Sequence, residues 1–228
     1  MFVKICGITS EEDALLAVAV GADAVGFIFA PSKRQVNATR VADIVKRLPR
    51  EVLTVGVFRN ESVDRIRGIV NQTGIQAVQL HGNETPAVVQ EVKQDVRTVF
   101  KAVAAGTEAF ERSDEFGADA VLVDNPNPGS GQVFDWRLAE DAPAGVPLIM
   151  AGGLDPSNVA DAIAKVQPWG VDVASGVERA PGVKDAILVR QFVQNARAAS
   201  EPAIDVTSDP AESFGPEPYD WRQDATWR

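Results

Sequence analysis

Short runs of apolar residues alternate along this chain with longer segments in which apolar residues recur every three or four positions. The short runs are rich in Val, Ile and Phe and are apolar nearly throughout, which is typical of strands that are covered on both faces. The longer segments have the spacing of amphipathic helices. We predict eight strands: Val3–Ile8, Ala24–Phe29, Leu53–Phe58, Ala77–His81, Thr98–Val103, Ala120–Asp124, Leu148–Gly152 and Gly170–Ala174.

The segments between the predicted strands carry recognisable helix starts. Ser10 precedes three acidic residues in the pattern of a capping box, and Thr39 is expected to cap the second helix. Asp155-Pro156 places a cap residue and then a proline at the first helical position. The last and longest helix is predicted to run from Lys184 to Ala199.

Eight strands, each followed by a helix or its remnant, give the count of a (β/α)8 TIM barrel. We therefore predict an α/β protein with a single catalytic barrel domain over residues 1–199. A doubly wound open sheet is the structural alternative, but it usually has fewer strands, and no GxGxxG pattern follows any predicted strand. In a barrel of this type the active site lies at the carboxyl ends of the strands.

Residues 200–228 break the alternating pattern. Four prolines, many acids and few aliphatic residues predict a short acidic C-terminal tail that is extended or disordered. Trp221, Trp227 and the only tyrosine, Tyr219, also lie there, and aromatic residues are scarce in disordered chains. The alternative is therefore that the end of the tail docks on the barrel or on a partner.

Composition excludes several classes of site and partner. One cysteine and one histidine cannot form a disulfide framework, a thiolate zinc cluster or a histidine-rich metal site. The net charge of −10 argues against a general nucleic-acid binder, which needs a basic face. No apolar run is long enough to span a bilayer, and the first residues do not resemble a signal peptide. We expect no membrane partner and a cytoplasmic location, where a lone thiol stays reduced.

Two candidate catalytic groups stand at predicted strand ends. Lys4 and Cys6 face the same side of the first strand, because side chains alternate, and a lysine with a thiol suits a pocket floor better than a core. Free cysteine is nevertheless often a buried hydrophobe. Asp124 ends an apolar strand and could reach the same pocket, although an aspartate there could also cap a loop. A thiolate and a carboxylic acid form a plausible base and acid.

Candidate binding groups occupy the neighbouring loops. Gly152-Gly153 and Ser175-Gly176 follow strands seven and eight, where barrels frequently bind phosphate, although such glycines can also serve only tight turns. Arg34, after strand two, suits a carboxylate, although a loop arginine is more often simply solvated. His81 ends strand four, and a lone histidine is more often structural than catalytic.

The strand ends and loops also carry a series of short motifs in unbroken order. They include Lys4-Ile5-Cys6-Gly7-Ile8-Thr9, Val78-Gln79-Leu80-His81-Gly82, Gly129-Ser130-Gly131, Gly152-Gly153-Leu154, and Asp172 with Ser175-Gly176-Val177-Glu178. Over about residues 2–197 the chain resembles the phosphoribosylanthranilate isomerase family. The tail from Ser200 has no counterpart in the family pattern.

The resemblance implies a reaction and a set of roles. The reaction is a cofactor-free Amadori rearrangement in tryptophan biosynthesis, which converts N-(5-phospho-β-D-ribosyl)anthranilate into 1-(2-carboxyphenylamino)-1-deoxy-D-ribulose 5-phosphate. The resemblance implies Cys6 as general base and Asp124 as general acid, without a metal, in a monomer or homodimer. It further implies that Arg34 holds the anthranilate carboxylate, His81 lines the pocket, Asp172 contacts the sugar hydroxyls, and Gly152, Gly153, Ser175 and Gly176 surround the phosphate.

Four positions depart from the family pattern. Pro128 stands where a loop glycine is usual and Gln132 where a lysine is usual, while Ala151 and Ala174 replace frequent serines. These changes concern loop closure and hydroxyl contacts to phosphate. None of them removes a proposed catalytic group.

Two kinds of alternative function stay open. The first is another phosphosugar barrel, such as an epimerase or indole-glycerol-phosphate synthase. An epimerase would need further acid–base groups or metal ligands, and the synthase would need a lysine–glutamate set, for which only Lys4 and Lys101 are available. The second is a non-catalytic barrel that binds a phosphorylated ligand or acts as a partner through its tail. The presence of both Cys6 and Asp124 argues against lost catalysis.

Overall fold

Eight parallel strands close into a barrel in sequential order, and the last strand pairs with the first. The computed structural model describes residues 1–125, 136–139 and 145–200. The barrel strands are β1 (Phe2–Ile5), β2 (Ala24–Ile28), β3 (Leu53–Phe58), β4 (Ala77–Leu80), β5 (Thr98–Ala104), β6 (Ala120–Asp124), β7 (Leu148–Met150) and β8 (Gly170–Val173). The TIM-barrel prediction is confirmed, because a doubly wound sheet would have two open edges.

Helices and short turns connect the strands. Within the described residues the helices are α1 (Glu11–Ala19), α2 (Ala38–Val45), α3 (Val63–Thr73), α4 (Pro86–Val92), α5 (Glu108–Glu111), α6 (Val159–Val166) and α7 (Ala186–Ser200). A small antiparallel hairpin, β9 (Glu178–Ala180) and β10 (Val183–Lys184), lies between β8 and α7. Single 3₁₀ turns occupy Ser113–Phe116, Trp136–Ala139 and Ser175–Val177.

One predicted helix cap is confirmed and one is wrong. The Ser10 side chain accepts a hydrogen bond from the Asp13 amide at 3.1 Å and begins α1. Thr39 does not cap α2; the Asn37 side chain does, by accepting from the Arg40 amide at 2.9 Å. Asparagine is favoured at this position at least as strongly as threonine, so the helix begins two residues earlier than predicted.

Two other helices begin later than predicted. The Asp155 carboxylate accepts from the Ser157 amide at 2.7 Å in a local turn, and α6 begins only after Asn158. The last helix begins at Ala186 rather than Lys184, because Lys184 pairs with Glu178 in the β9–β10 hairpin. Both differences concern the loops at the carboxyl end of the barrel.

The core is divided by the barrel wall. Outward-facing residues such as Val3 and Ile5 pack against the helices, whereas a separate cluster that includes Ala24, Val55 and Leu122 fills the barrel interior. Polar side chains are also buried, including Lys4, Gln79 and Asp172. An interior that holds a lysine and an aspartate near the carboxyl ends of its strands has the character of a site floor.

Some predictions lie outside the described residues. These are the tail beyond Ser200, the Gly129-Ser130-Gly131 motif and the loop positions Pro128 and Gln132. Among the described helices, none combines the length and the apolar character that crossing a membrane would require.

Candidate active site

A cavity of about 320 Å³ opens at the carboxyl ends of the barrel strands. Eight of the nine predicted site residues line it: Cys6, Arg34, His81, Asp124, Gly152, Gly153, Asp172 and Ser175. Gly176, the ninth, directly follows Ser175 and packs against the loop after β7. Residues from all parts of the chain therefore meet in one place.

Cys6 follows the last residue of β1. Its amide donates to the Val173 carbonyl at 2.8 Å, so the closing strand β8 fixes its backbone. Gly7 then turns the chain with a φ of 74°, in the left-handed region that favours glycine. The predicted first strand therefore ends three residues early, and this turn leaves the thiol on the cavity floor with only 5% of the residue exposed.

Buried charges surround the thiol. The Lys4 ammonium contacts the Asp172 carboxylate at 2.8 Å, and the Lys4 side chain has no exposure. Burial raises the pKa of Cys6 above its ordinary value, while the positive charge of Lys4 lowers it in part. A thiolate formed in such a place is a strong base, because little water is present to stabilise its charge.

Gly26 in β2 leaves the space that Cys6 occupies. A Cβ atom at this position would lie 2.8 Å from Cys6 Sγ and 3.2 Å from Lys4 Nζ. If Cys6 is the predicted base, we expect Gly26→Ala to lower kcat by about 10- to 100-fold, because a displacement of a reacting group by about 1 Å can cost that much. Steady-state kinetics measures the loss.

Gly68→Ala in α3 is the matched control for Gly26→Ala, because a Cβ atom there meets nothing within 4 Å. Its kcat should equal that of the unmodified protein. If Gly26→Ala also kept full kcat while folded, the position of Cys6 would not matter to the reaction.

Asp124 at the end of β6 is held by two groups. Its Oδ1 accepts from the Asn125 amide at 2.7 Å, and His81 Nε2 lies 3.3 Å from its Oδ2. The Gln79 amide nitrogen lies 2.9 Å from His81 Nδ1. The contact with Gln79 fixes the imidazole ring so that Nε2 faces the Asp124 carboxyl group. The row Gln79–His81–Asp124 therefore orients the carboxyl group at the cavity wall.

Arg34 has a carboxylate partner that sequence analysis did not identify. Its Nε and Nη2 donate to the two oxygens of Glu178 at 2.7 and 2.8 Å. Lys184, which was predicted to be helical, donates from Nζ to Glu178 at 3.1 Å and to the Ala174 carbonyl at 2.9 Å. Burial opposes ionisation of Glu178, but Arg34 and Lys184 hold its pKa below its ordinary value.

Among the residues that the structure describes, this pair leaves one edge of the guanidinium available. Glu178 uses the Nε–Nη2 edge of Arg34, so the Nη1–Nη2 edge remains for a second carboxylate in bidentate geometry. The only signal for this arrangement was the presence of Glu178 in the last motif. The contact joins residues that are 144 positions apart, so spacing alone could not reveal it.

The loops after β7 and β8 touch through their backbones. Gly152 and Gly153 have φ values of 79° and 74°. A Cβ atom on Gly176 would lie 1.9 Å from the Leu154 carbonyl oxygen, so only glycine fits there. Asn158, which sequence analysis also missed, donates from its amide nitrogen to the Gly153 carbonyl at 2.9 Å and braces the first loop.

A buried ion pair orders the loop that follows His81. Lys101 Nζ donates to Glu84 at 3.1 Å and to the Gly82 carbonyl at 2.7 Å. Glu84 in turn accepts from the amides of Asn60 and Gly82, both at 2.8 Å. Lys101 and Glu84 therefore tie the loops after β3 and β4 to β5 beside the cavity.

Comparisons of the sequence and of the structure with known proteins lead to the same family. The sequence pattern of the family described as PRAI, N-(5'phosphoribosyl)anthranilate (PRA) isomerase, matches residues 3–195. N-(5'-phosphoribosyl)anthranilate isomerase from Desulforudis audaxviator is 44% identical over 201 residues, which cover 86% of this chain and 98% of the relative.

Two solved structures are similar to this chain, each with 39% identity and a TM-score of 0.77, covering 87% of this chain and 99% of the other. One is a phosphoribosyl anthranilate isomerase in complex with reduced 1-(o-carboxyphenylamino)-1-deoxyribulose 5-phosphate. The other contains mutually generated monomers of the dimeric enzyme from Thermotoga maritima.

Proposed function

The chain belongs to the N-(5'-phosphoribosyl)anthranilate isomerase family, and we propose that Cys6 and Asp124 are the general base and general acid of its reaction. The protein is an aldose–ketose isomerase of tryptophan biosynthesis. It converts N-(5-phospho-β-D-ribosyl)anthranilate into 1-(2-carboxyphenylamino)-1-deoxy-D-ribulose 5-phosphate. The observation that carries the proposed roles is that the thiol and the carboxyl group line one cavity from separate strands.

The proposed chemistry needs one proton donor and one proton acceptor. Asp124 donates a proton to the furanose ring oxygen, the C1–O bond breaks, and the anilino nitrogen forms an iminium with C1. The iminium makes the proton on C2 acidic, and the Cys6 thiolate removes it to give an enolamine. C1 then gains a proton while the C2 hydroxyl loses its proton to the Asp124 carboxylate, which yields the ketone and restores the acid. His81 supports the first step because it orients the Asp124 carboxyl group.

The two ends of the substrate fit different parts of the cavity. The free edge of Arg34 suits the anthranilate carboxylate, since Glu178 fixes the guanidinium from the other side. Backbone amides of Gly152, Gly153, Ser175 and Gly176 suit the phosphate in the place where barrels frequently bind it. Asp172 lines the same cavity and suits the sugar hydroxyls.

Three further properties of the enzyme are its cofactor requirement, its location and its oligomeric state. We propose that the reaction uses no cofactor, because an acid and a base suffice for it. A cytoplasmic location suits the single thiol, which needs a reducing compartment to act as a base. The dimeric relative from Thermotoga maritima supports a homodimer over a monomer.

A pair of matched substrates tests this function. Ribose 5-phosphate is condensed with anthranilate or with aniline, which lacks the carboxylate, and the protein is purified from a host without its own isomerase. We expect rapid loss of anthranilate-adduct fluorescence in proportion to enzyme concentration, with formation of the ketose on chromatography. The aniline adduct should have a kcat/KM at least about tenfold lower, because a charge-assisted contact to Arg34 is lost.

The two substrates separate the reaction from the role of Arg34. Stable fluorescence of the anthranilate adduct would contradict the function and favour another phosphosugar. Equal kcat/KM values for the two adducts would retain the reaction but remove Arg34 from carboxylate binding.

A further inference from the structure

Lys4 is a buried charged group that the proposed reaction does not use. Its side chain has no exposure, and its ammonium contacts Asp172 at 2.8 Å. Burial of a lysine ammonium costs free energy unless the charge is paired. Asp172 provides that pairing, but two well-packed apolar residues would often stabilise the fold as well as a buried ion pair does. Stability alone therefore does not explain why a lysine is present.

Cys6 is the neighbouring group on which the Lys4 charge can act. The two residues are separated by one position on β1, so their side chains face the same side. Cys6 Sγ and Lys4 Nζ lie 2.8 and 3.2 Å from the point that a Gly26 Cβ would occupy. Both atoms therefore border the space that this glycine leaves open.

We propose that Lys4, held by Asp172, is a positioning residue that stabilises the thiolate form of Cys6 at the closed floor of the cavity. The proposal rests on the proposed function for its meaning in catalysis, but the effect on the thiol exists without substrate. It gives Asp172 a second role, because this carboxylate fixes the Lys4 ammonium in addition to facing the cavity.

The charges around Cys6 come from several elements. Lys4 on β1 and Lys184 on β10 favour the thiolate, whereas burial and the Asp172 carboxylate on β8 disfavour it. Arg34, in the loop after β2, also interacts with the thiol. Asp124 and His81 line the same cavity on the side of β6 and β4.

The Lys4 side chain stays protonated. Burial lowers its pKa, but Asp172 and Cys6 outweigh that effect and raise the pKa above its ordinary value. Lys184 differs, because burial lowers its pKa below the ordinary value even with Glu178 beside it. Lys4, like Arg34, whose pKa is also raised, therefore keeps its positive charge throughout the pH range in which a thiol titrates.

Alkylation of the thiol tests the proposal directly. The chain contains one cysteine, so the rate of reaction with iodoacetamide reports on Cys6 alone. We expect Lys4→Met to lower the alkylation rate at neutral pH by about tenfold or more, because a nearby opposite charge shifts a titration by at least about one pH unit. The rate profile against pH should move to higher pH by the corresponding amount.

Lys101→Met is the matched control. Lys101 is a second buried lysine with a carboxylate partner, but that partner is Glu84 and the pair lies outside the cavity that Cys6 lines. The alkylation profile of this variant should coincide with that of the unmodified protein. Circular dichroism and thermal unfolding establish that each variant is folded before it is compared.

Lys4→Gln keeps the test decisive if Lys4→Met fails to fold, since glutamine is neutral and can still donate to Asp172. A folded Lys4 variant with an unchanged alkylation profile would overturn the proposal. Because the assay contains no substrate, that outcome would leave the isomerase function intact. Conversely, the alkylation profile could shift in the Lys4 variants while the unmodified protein shows no isomerase activity. That result would retain the proposal and refute only the function.

Discussion

Each of the variants Cys6→Ser and Asp124→Asn is expected to lose about 10³-fold in kcat, because each removes a proposed proton-transfer group and such a group is worth about 10²- to 10⁴-fold. Serine has nearly the size of cysteine but is a far poorer proton acceptor at neutral pH, and asparagine cannot donate the proton that opens the ring. The changes are small, so KM should move by less than about threefold. Steady-state kinetics with the anthranilate adduct measures both constants.

Asp64→Asn is the control for the acid variant, because Asp64 lies on α3 with its side chain 93% exposed and contacts Arg67. Its kcat should be unchanged. Retention of more than about a tenth of kcat by Cys6→Ser or Asp124→Asn would remove that residue from its proposed role. If only one of the two variants loses kcat, the other proton transfer must use a different group in the cavity.

The pH dependence of the unmodified enzyme follows from the same assignment. The thiol is active as a base only when deprotonated, and burial raises its pKa above the ordinary value. The base limb of kcat/KM should therefore rise with pH through the neutral and mildly alkaline range, and fall about tenfold per pH unit below the thiol pKa. Cys6→Ser should lack this limb.

The fold could be predicted because the strands can be recognised in the sequence. Strands covered on both faces are apolar throughout, and eight of them in alternation with helices leave few architectures. The strand ends were less certain. Gly7 and Gly152 adopt left-handed φ values, and β1 and β7 end before them, whereas the predicted strands include both glycines.

The residues of the cavity were also accessible from the sequence, because polar groups at the ends of parallel strands must meet at one end of a barrel. The side chains with which these residues form ion pairs could not be predicted. Lys4 pairs with Asp172 because β1 and β8 close the barrel with these two residues in register. Glu178 reaches Arg34 only through the hairpin that replaces the predicted start of the last helix. Such contacts depend on closure geometry, which no local pattern encodes.

The Gly176→Ala variant is expected to raise KM by at least about tenfold with a smaller change in kcat. The added methyl would lie 1.9 Å from the Leu154 carbonyl oxygen and 3.0 Å from the Asp155 Cα, so the backbones of the two loops must separate. Amides that converge on a phosphate lose their geometry when the loops part, and each charge-assisted hydrogen bond contributes about 1.5–3 kcal/mol. Inhibition by inorganic phosphate should weaken in parallel.

Gly68→Ala again provides the control, because a methyl group in the middle of α3 meets open space and should stabilise the helix by about 0.5–1 kcal/mol. In Gly176→Ala, overpacking should also lower the free energy of unfolding by about 1–3 kcal/mol. Unchanged phosphate inhibition in a folded Gly176→Ala protein would place the phosphate elsewhere. Because Gly26→Ala is expected to act on kcat and Gly176→Ala on KM, the two variants together separate the proposed proton-transfer floor of the cavity from its proposed phosphate-binding rim.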